Sequence, residues 1–194
     1  MGEKDNWQPS HGATLPPSQA ISQQANVHTI SKISLKTPPR TDIWRRARPG
    51  SAPDADVFNA PSLTLTLPNS KTFLRLSATF TVPYKTQFDQ GGILLHWPSS
   101  QTNRWVKAGI EFFEGEPELG VVGTDRYSDW SLAPMPEGKA QTKCRMEAAR
   151  DGTTLWVHVV AAGKRRALRE VKWAFLDEGA GGEEMRVGVS LCSF

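Results

Sequence analysis

The run FLRLSATFTV, residues 73–82, places Leu74, Leu76, Ala78, Phe80 and Val82 at alternate positions, with Arg75, Ser77, Thr79 and Thr81 between them. A period of two puts the two sets on opposite faces of an extended chain, and a helix of period 3.6 cannot use it. The period recurs in SLTLTLP (62–68), where Leu63, Leu65 and Leu67 oppose Thr64 and Thr66, and again in TLWVHVV (154–160) and MRVGVSL (185–191). Pro, Gly, Asn and Asp separate these runs. Many short alternating strands with turn residues between them specify a sandwich or a barrel. Only GKRRALREVKWAFL (163–176) leaves room for a helical turn, and its second half reads as a strand.

At 194 residues the chain can build one substantial core and is short for two. Residues 1–26 are rich in Ser, Gln, Pro and Asn, with almost no branched apolar residues. They cannot bury enough surface to fold alone, so they read as a disordered or loosely attached tail, and 27–194 as the domain. The 23 basic and 20 acidic residues leave a net charge of +3. The clusters WRRAR (44–48) and GKRRALR (163–169) read as solvated surface, so nucleic acid is not an expected partner.

Cys144 and Cys192 lie in apolar runs and read as free buried thiols, too few for a disulfide framework or a familiar metal site. No apolar run approaches the roughly 18 residues a membrane span requires. MGEKDNWQPSHG lacks the apolar stretch of a secretory signal, and Asn6 stands where a myristoylation motif has Ser or Thr. A reduced, cytoplasmic protein without a membrane partner is the expectation.

RWVKAGIEFF (104–113) sets an apolar face of Val106, Ala108, Ile110 and Phe112 against Trp105, Lys107, Gly109, Glu111 and Phe113. The second face is unusual: an aromatic, a cation, a gap and an anion along one line. At ~3.3 Å per residue, Lys107 and Glu111 stand roughly 13 Å apart, too far for a direct pair but suited to lining a groove. A solvated outer face with scattered charges is the plainer alternative. Glu114, Glu116 and Glu118 in FEGEPELG imitate the alternate carboxylates of a glycosidase. With Gly115 and Pro117 between them they read instead as turn residues in water. A turn would not hold two carboxylates at the roughly 5.5 Å that glycoside hydrolysis by retention requires.

Five segments in order, TDIW (41–44), FDQGGILL (88–95), RWVKAGIE (104–111), LGVVGTDRYSDWS (119–131) and LRE (168–170), carry a resemblance. Together they resemble an uncharacterised family with a concanavalin A-like jelly-roll fold, which includes the fungal regulation-of-enolase protein. The resemblance covers about residues 30 to 194. It implies an all-β sandwich of two antiparallel sheets, one concave, with no established activity. Trp44, Asp89, Gln90, Trp105, Lys107, Glu111, Asp129 and Trp130 occupy its signature positions. Gly123 departs from it, standing where relatives often carry a bulkier residue, which would widen the groove.

Ligands of such a sandwich lie across the concave sheet. The candidate ligand-binding residues are Arg75, Gln90, His96, Trp105, Lys107, Glu111, Asp129, Trp130 and His158, with the two tryptophans as stacking platforms. Each has a structural alternative. Asp129 can cap its own loop, Trp130 can plug the end of the sandwich, and His96 and His158 can be satisfied strand histidines. Asp89 reads most simply as a turn residue.

Two functions follow. The first is binding of a sugar, small metabolite or peptide, possible as a homodimer and without turnover. The second is an enzyme of isomerase, cyclase or lyase type, with Glu111 and Lys107 as acid and base and with no metal or cofactor. No phosphate-binding glycine loop, serine elbow or zinc signature is present in the sequence.

Overall fold

The computed structural model describes residues 7–46, 56–99, 103–136, 143–176 and 182–194. The strands are β1 (Trp7–Ser10), β2 (Ile21–Gln24), β3 (Val27–Ile30), β4 (Ile43–Arg45), β5 (Asp56–Phe58), β6 (Ser62–Leu67), β7 (Arg75–Thr81) and β8 (Gln90–Trp97). They continue with β9 (Arg104–Phe113), β10 (Glu116–Thr124), β11 (Ser128–Pro134), β12 (Lys143–Asp151), β13 (Thr154–Ala161), β14 (Lys164–Val171) and β15 (Met185–Cys192). The larger sheet runs β1-β6-β15-β8-β9-β10-β11 and the smaller β14-β13-β12-β7; β2-β3 and β4-β5 are separate two-stranded ribbons. The strand pairings among the described residues are antiparallel, and the two larger sheets share one core, which makes the fold a β-sandwich. Among the described residues no helix is long and apolar enough to cross a membrane.

The period-two reading of β9 holds. Val106, Ala108 and Ile110 point into the core with Ile93, Leu95, Leu119 and Val121, against Met146, Ala148, Leu155, Val157 and Val159 of the smaller sheet. Burying side chains of this size contributes about 1.5–3 kcal/mol each, and alternation aims all of them at one layer. Beyond β13 the structure differs from the expected strand: β14 takes the first half of GKRRALREVKWAFL, and Lys172 to Leu176 turn back. That turn delivers Ala174 and Phe175 into the core, where Phe175 stacks on Phe73 at 6.1 Å.

Arg166 and Arg169 of the edge strand β14 reach across to the other sheet, donating to Pro134 O and to Asp129 O and Val121 O. They fasten the sheets along one border. Within the segment expected to be a tail, Trp7–Ser10 pair with β6, Trp7 packs against the core, and the Ser10 and Ser62 hydroxyls lie 2.6 Å apart. The ribbon β2-β3 spans the expected boundary at residue 26.

Candidate functional site

On β9, Trp105, Lys107, Gly109, Glu111 and Phe113 face away from the core, as the alternation predicts. Antiparallel register places Gly92 and Gly120 on either side of Gly109, so three glycines form one lane across β8, β9 and β10. A Cβ on Gly109 would lie 2.0 Å from Gly91 O, and one on Gly92 would lie 2.1 Å from Ala108 O. Those separations are far inside van der Waals contact, so both positions require glycine. The lane is a trench bounded by Gln90, Lys107, Glu111, Val122 and Ser190. Its cavity volume is about 20 Å³, room for one water or one polar group of a ligand.

Glu111 is only 4% exposed and leans over Gly120, whose added Cβ would meet its Oε2 at 2.6 Å. Trp130 Nε1 donates to that oxygen at 3.0 Å. Burial pushes the Glu111 carboxyl up to about 7, against the opposing pull of Lys107 and the Trp130 hydrogen bond. Lys107 is equally buried and is committed elsewhere: its Nζ donates to Asp42 Oδ1 at 2.8 Å. Asp42 stands at the entry to β4, and the ion pair fastens that ribbon over the sheet. Cys192 lies beside this pair, fully buried, its thiol pushed up to about 12 by desolvation. Both cysteines are free and buried, as expected.

Gln90 lies opposite Glu111 in register and lines the trench. Trp130, which holds Glu111, lies edge-on to Phe113 at 5.2 Å and to Phe88 at 6.3 Å. Asp89 caps a turn, accepting from Lys85 N and Thr86 N at 3.0 Å and from Ser193 Oγ at 2.8 Å. Burial alone would raise its pKa, but the hydrogen bonds from Thr86, Ser193 and Lys85 together hold it below the ordinary value.

Trp105 and His96 share the outer face of the larger sheet but are buried beneath β4-β5. Phe58 lies 4.6 Å from the His96 ring and 5.3 Å from Trp105, and the Arg45 guanidinium sits 4.7 Å over the indole. Burial holds His96 down to about 4. Neither ring is an open stacking platform here.

Three expected ligand contacts fall elsewhere. Asp129 alternates to the core side of β11 at the sheet border, where it pairs with Arg169. Gly123 likewise meets Trp173 rather than the trench. Arg75 and His158 belong to the smaller sheet, on its outer face, beside the buried Glu147. Arg165 and Arg75 approach that carboxylate at 2.9 and 3.8 Å, and His158 stands opposite it in register. Desolvation, then Arg165, lowers the His158 pKa.

The hairpin carboxylates also differ from the expectation. The turn is Glu114 and Gly115, both with positive φ (50° and 83°), while Glu116 and Glu118 lie in β10 and Glu118 faces Glu111 across the ladder. Pro117 is tolerated because the β10–β11 register begins only at Glu118, so no second neighbour needs its absent N–H. Phe113, Leu132 and the three glutamates line an open depression of about 410 Å³ next to the trench. Glycines inside apolar strands, in QGGILL and ELGVVG, were the available signal for the lane. Among the described residues no group of three His, Cys, Asp or Glu is placed to hold a metal ion.

Residues 20–193 match the family described as "Protein of unknown function (DUF1349)". The chain belongs to that family. It is 37% identical over 150 residues to the uncharacterized protein AN7484 of Emericella nidulans, covering 76% of this chain and 71% of that one. It is 30% identical over 136 residues to Regulation of enolase protein 1 of Saccharomyces cerevisiae, covering 69% of this chain and 60% of that one. A crystal structure of a functionally unknown S. cerevisiae protein superposes with a TM-score of 0.67 at 20% identity, covering 97% of this chain and 87% of that one. That superposition supports the β-sandwich fold of this chain. The two curated relatives support membership.

Proposed function

We propose that this protein binds a small polar ligand whose body rests in the depression lined by Phe113, Leu132, Glu116 and Glu118 and whose one polar group enters the glycine trench beside Glu111. The observation that carries the reading is the meeting of a side-chain-free lane with a buried carboxylate that has one named neutral donor, Trp130. A ligand hydroxyl or amide entering the trench meets Glu111 in a site already cleared of most water, where a hydrogen bond is at its strongest. The test is a screen of metabolites and glycans against the full chain, repeated with Glu111→Gln. The full chain is used because β1 is part of the larger sheet. Affinity should fall ten- to a hundredfold if a charged hydrogen bond is lost. Unchanged affinity overturns the reading.

A second reading, an acid–base enzyme acting through Glu111, is favoured by one observation. A carboxyl pushed up to about 7 exchanges its proton near neutrality. On that reading Glu111→Gln abolishes turnover and leaves affinity nearly intact, and the wild-type rate follows a single titration near neutral pH.

A further inference from the structure

One cross-strand row on the outer face of the larger sheet concentrates unsatisfied polar atoms. Register aligns Trp105 with His96, His96 with Arg186, and Arg186 with Thr66, across β9, β8, β15 and β6. Trp105 Nε1, His96 Nε2 and Thr66 Oγ1 are all buried without a hydrogen-bond partner. Trp105 is 0% and His96 8% exposed. Buried polar groups ordinarily have partners, so three orphans in one row require an explanation.

Burial keeps the His96 imidazole neutral, and its unpartnered Nε2 either donates or accepts. The indole N–H can only donate, and the threonine hydroxyl does either. A hydroxyl group, which donates and accepts at once, satisfies this set either way, and an ammonium does not. The two rings also present apolar area, now covered by Phe58 of β5. At the β15 end the row reaches solvent, because the Arg186 side chain is 39% exposed.

We propose that Trp105 and His96 form a saccharide subsite, in which a sugar ring takes the place of Phe58 and its hydroxyls pair with the indole Nε1 and the imidazole Nε2. This rests on the reading that the outer face of the larger sheet binds ligand, and it adds to that face a second subsite, about 20 Å along β9 from Glu111, for a neutral, polyhydroxylated ring. The ribbon β4-β5 then acts as a displaceable cover, held by Asp42 on Lys107 and Arg45 on Trp105.

The test titrates glucose, galactose, mannose and N-acetylglucosamine into the full chain while following tryptophan indole N–H resonances, with Trp105 assigned by Trp105→Phe. At least one sugar should shift the Trp105 resonance. Phe58→Ala, which removes the competing ring, should tighten that sugar about tenfold, and His96→Phe should weaken it several-fold, roughly the scale of a neutral hydrogen bond. Phe58→Leu serves if Phe58→Ala does not fold. A response to none of the four sugars in wild type or the Phe58 variant, with the indole N–H in contact with water alone, overturns the subsite. Glu111→Gln separates the two ideas. A Trp105 shift that survives it upholds the subsite whatever becomes of the trench, and trench binding without a Trp105 shift sinks the subsite alone.

Discussion

Glu111 and Glu147 occupy comparable places on the two sheets. Each faces away from the core and is all but sealed from water, at 4% and 3% exposed. Their neighbours differ. Glu147 is bracketed by the guanidinium groups of Arg165 and Arg75, whose long stems lie over it and exclude water. Glu111 is covered by backbone and aromatic rings, its one named donor is an uncharged indole, and the nearby cation Lys107 is already bound to Asp42. A buried carboxylate with its own cations is part of the framework. A buried carboxylate whose nearest cation serves another acid stays chemically available, and its proton affinity rises.

The strongest way to break this comparison is through the backbone beneath Glu111. Gly109→Ala drives a methyl into Gly91 O, 2.0 Å away, and should cost about 3 kcal/mol or more, lowering Tm by roughly 6–12 °C. The control on the other sheet is Gly152→Ala in the β12–β13 turn. That glycine has a φ of 57° and open space around its Cβ position, so only the left-handed backbone penalty of about 1 kcal/mol applies. Equal losses in denaturant melts would show that the lane is not a special close approach.

Next in size is the pH dependence of Glu111. Its folded pKa, about 7, lies above the ordinary value of 4.5, so the folded state holds the extra proton between those limits. Stability from this group is therefore full below about pH 4.5 and is lost as pH rises through 7, by up to ~3 kcal/mol. Glu111→Gln keeps a neutral side chain throughout. Its stability relative to wild type should climb over that window and level off above it. A flat difference between pH 5 and 8 would mean that Glu111 is already well solvated or paired.

Arg165→Ala probes the Glu147 side. The arginine is half exposed and Arg75 remains nearby, so the loss should be about 1 kcal/mol in a urea melt. A loss several times larger would make Glu147 as dependent on a single contact as Glu111 is. The smallest effect is expected at Asp129, whose carboxylate is largely exposed and whose partner Arg169 keeps its bonds to Asp129 O and Val121 O. Asp129→Asn should change stability by no more than about 0.5 kcal/mol and leave ligand affinity untouched.

Much of this was legible before the structure. Alternation along β9 fixed which side chains leave the core, and the trench lies on the face so chosen, with Gly109 opening it. Period two assigns a residue to a face of its strand but is silent on which sheet the strand joins, so Arg75 and His158 read like Gln90 and Lys107. The same period, counted along SDWS, would have put Asp129 opposite Trp130. The cover over Trp105 was hidden for another reason: β4 and β5 are three residues each, too short to carry a pattern. Pro117 pulled Glu116 and Glu118 toward a turn, because its effect depends on a neighbouring strand that ends one residue short of it. Trp7 looked isolated among polar residues, yet one aromatic and a ladder suffice to seat a four-residue edge strand.

The last strand in the sequence does not lie at an edge. β15 is inserted between β6 and β8, in the middle of the larger sheet, and pairs with residues about 90 to 130 positions earlier in the chain. Sequence-distant pairing of this kind is slow to form, since the long intervening loop must close before any contact rewards it. During synthesis β6 and β8 emerge with a vacant slot between them and two unpaired edges, an invitation to aggregate until β15 arrives. Ser190, a wall of the trench, is on that strand. The trench is thus completed only once β15 is made, and a nascent chain that stalls before residue 185 lacks both the middle of the larger sheet and one wall of the trench.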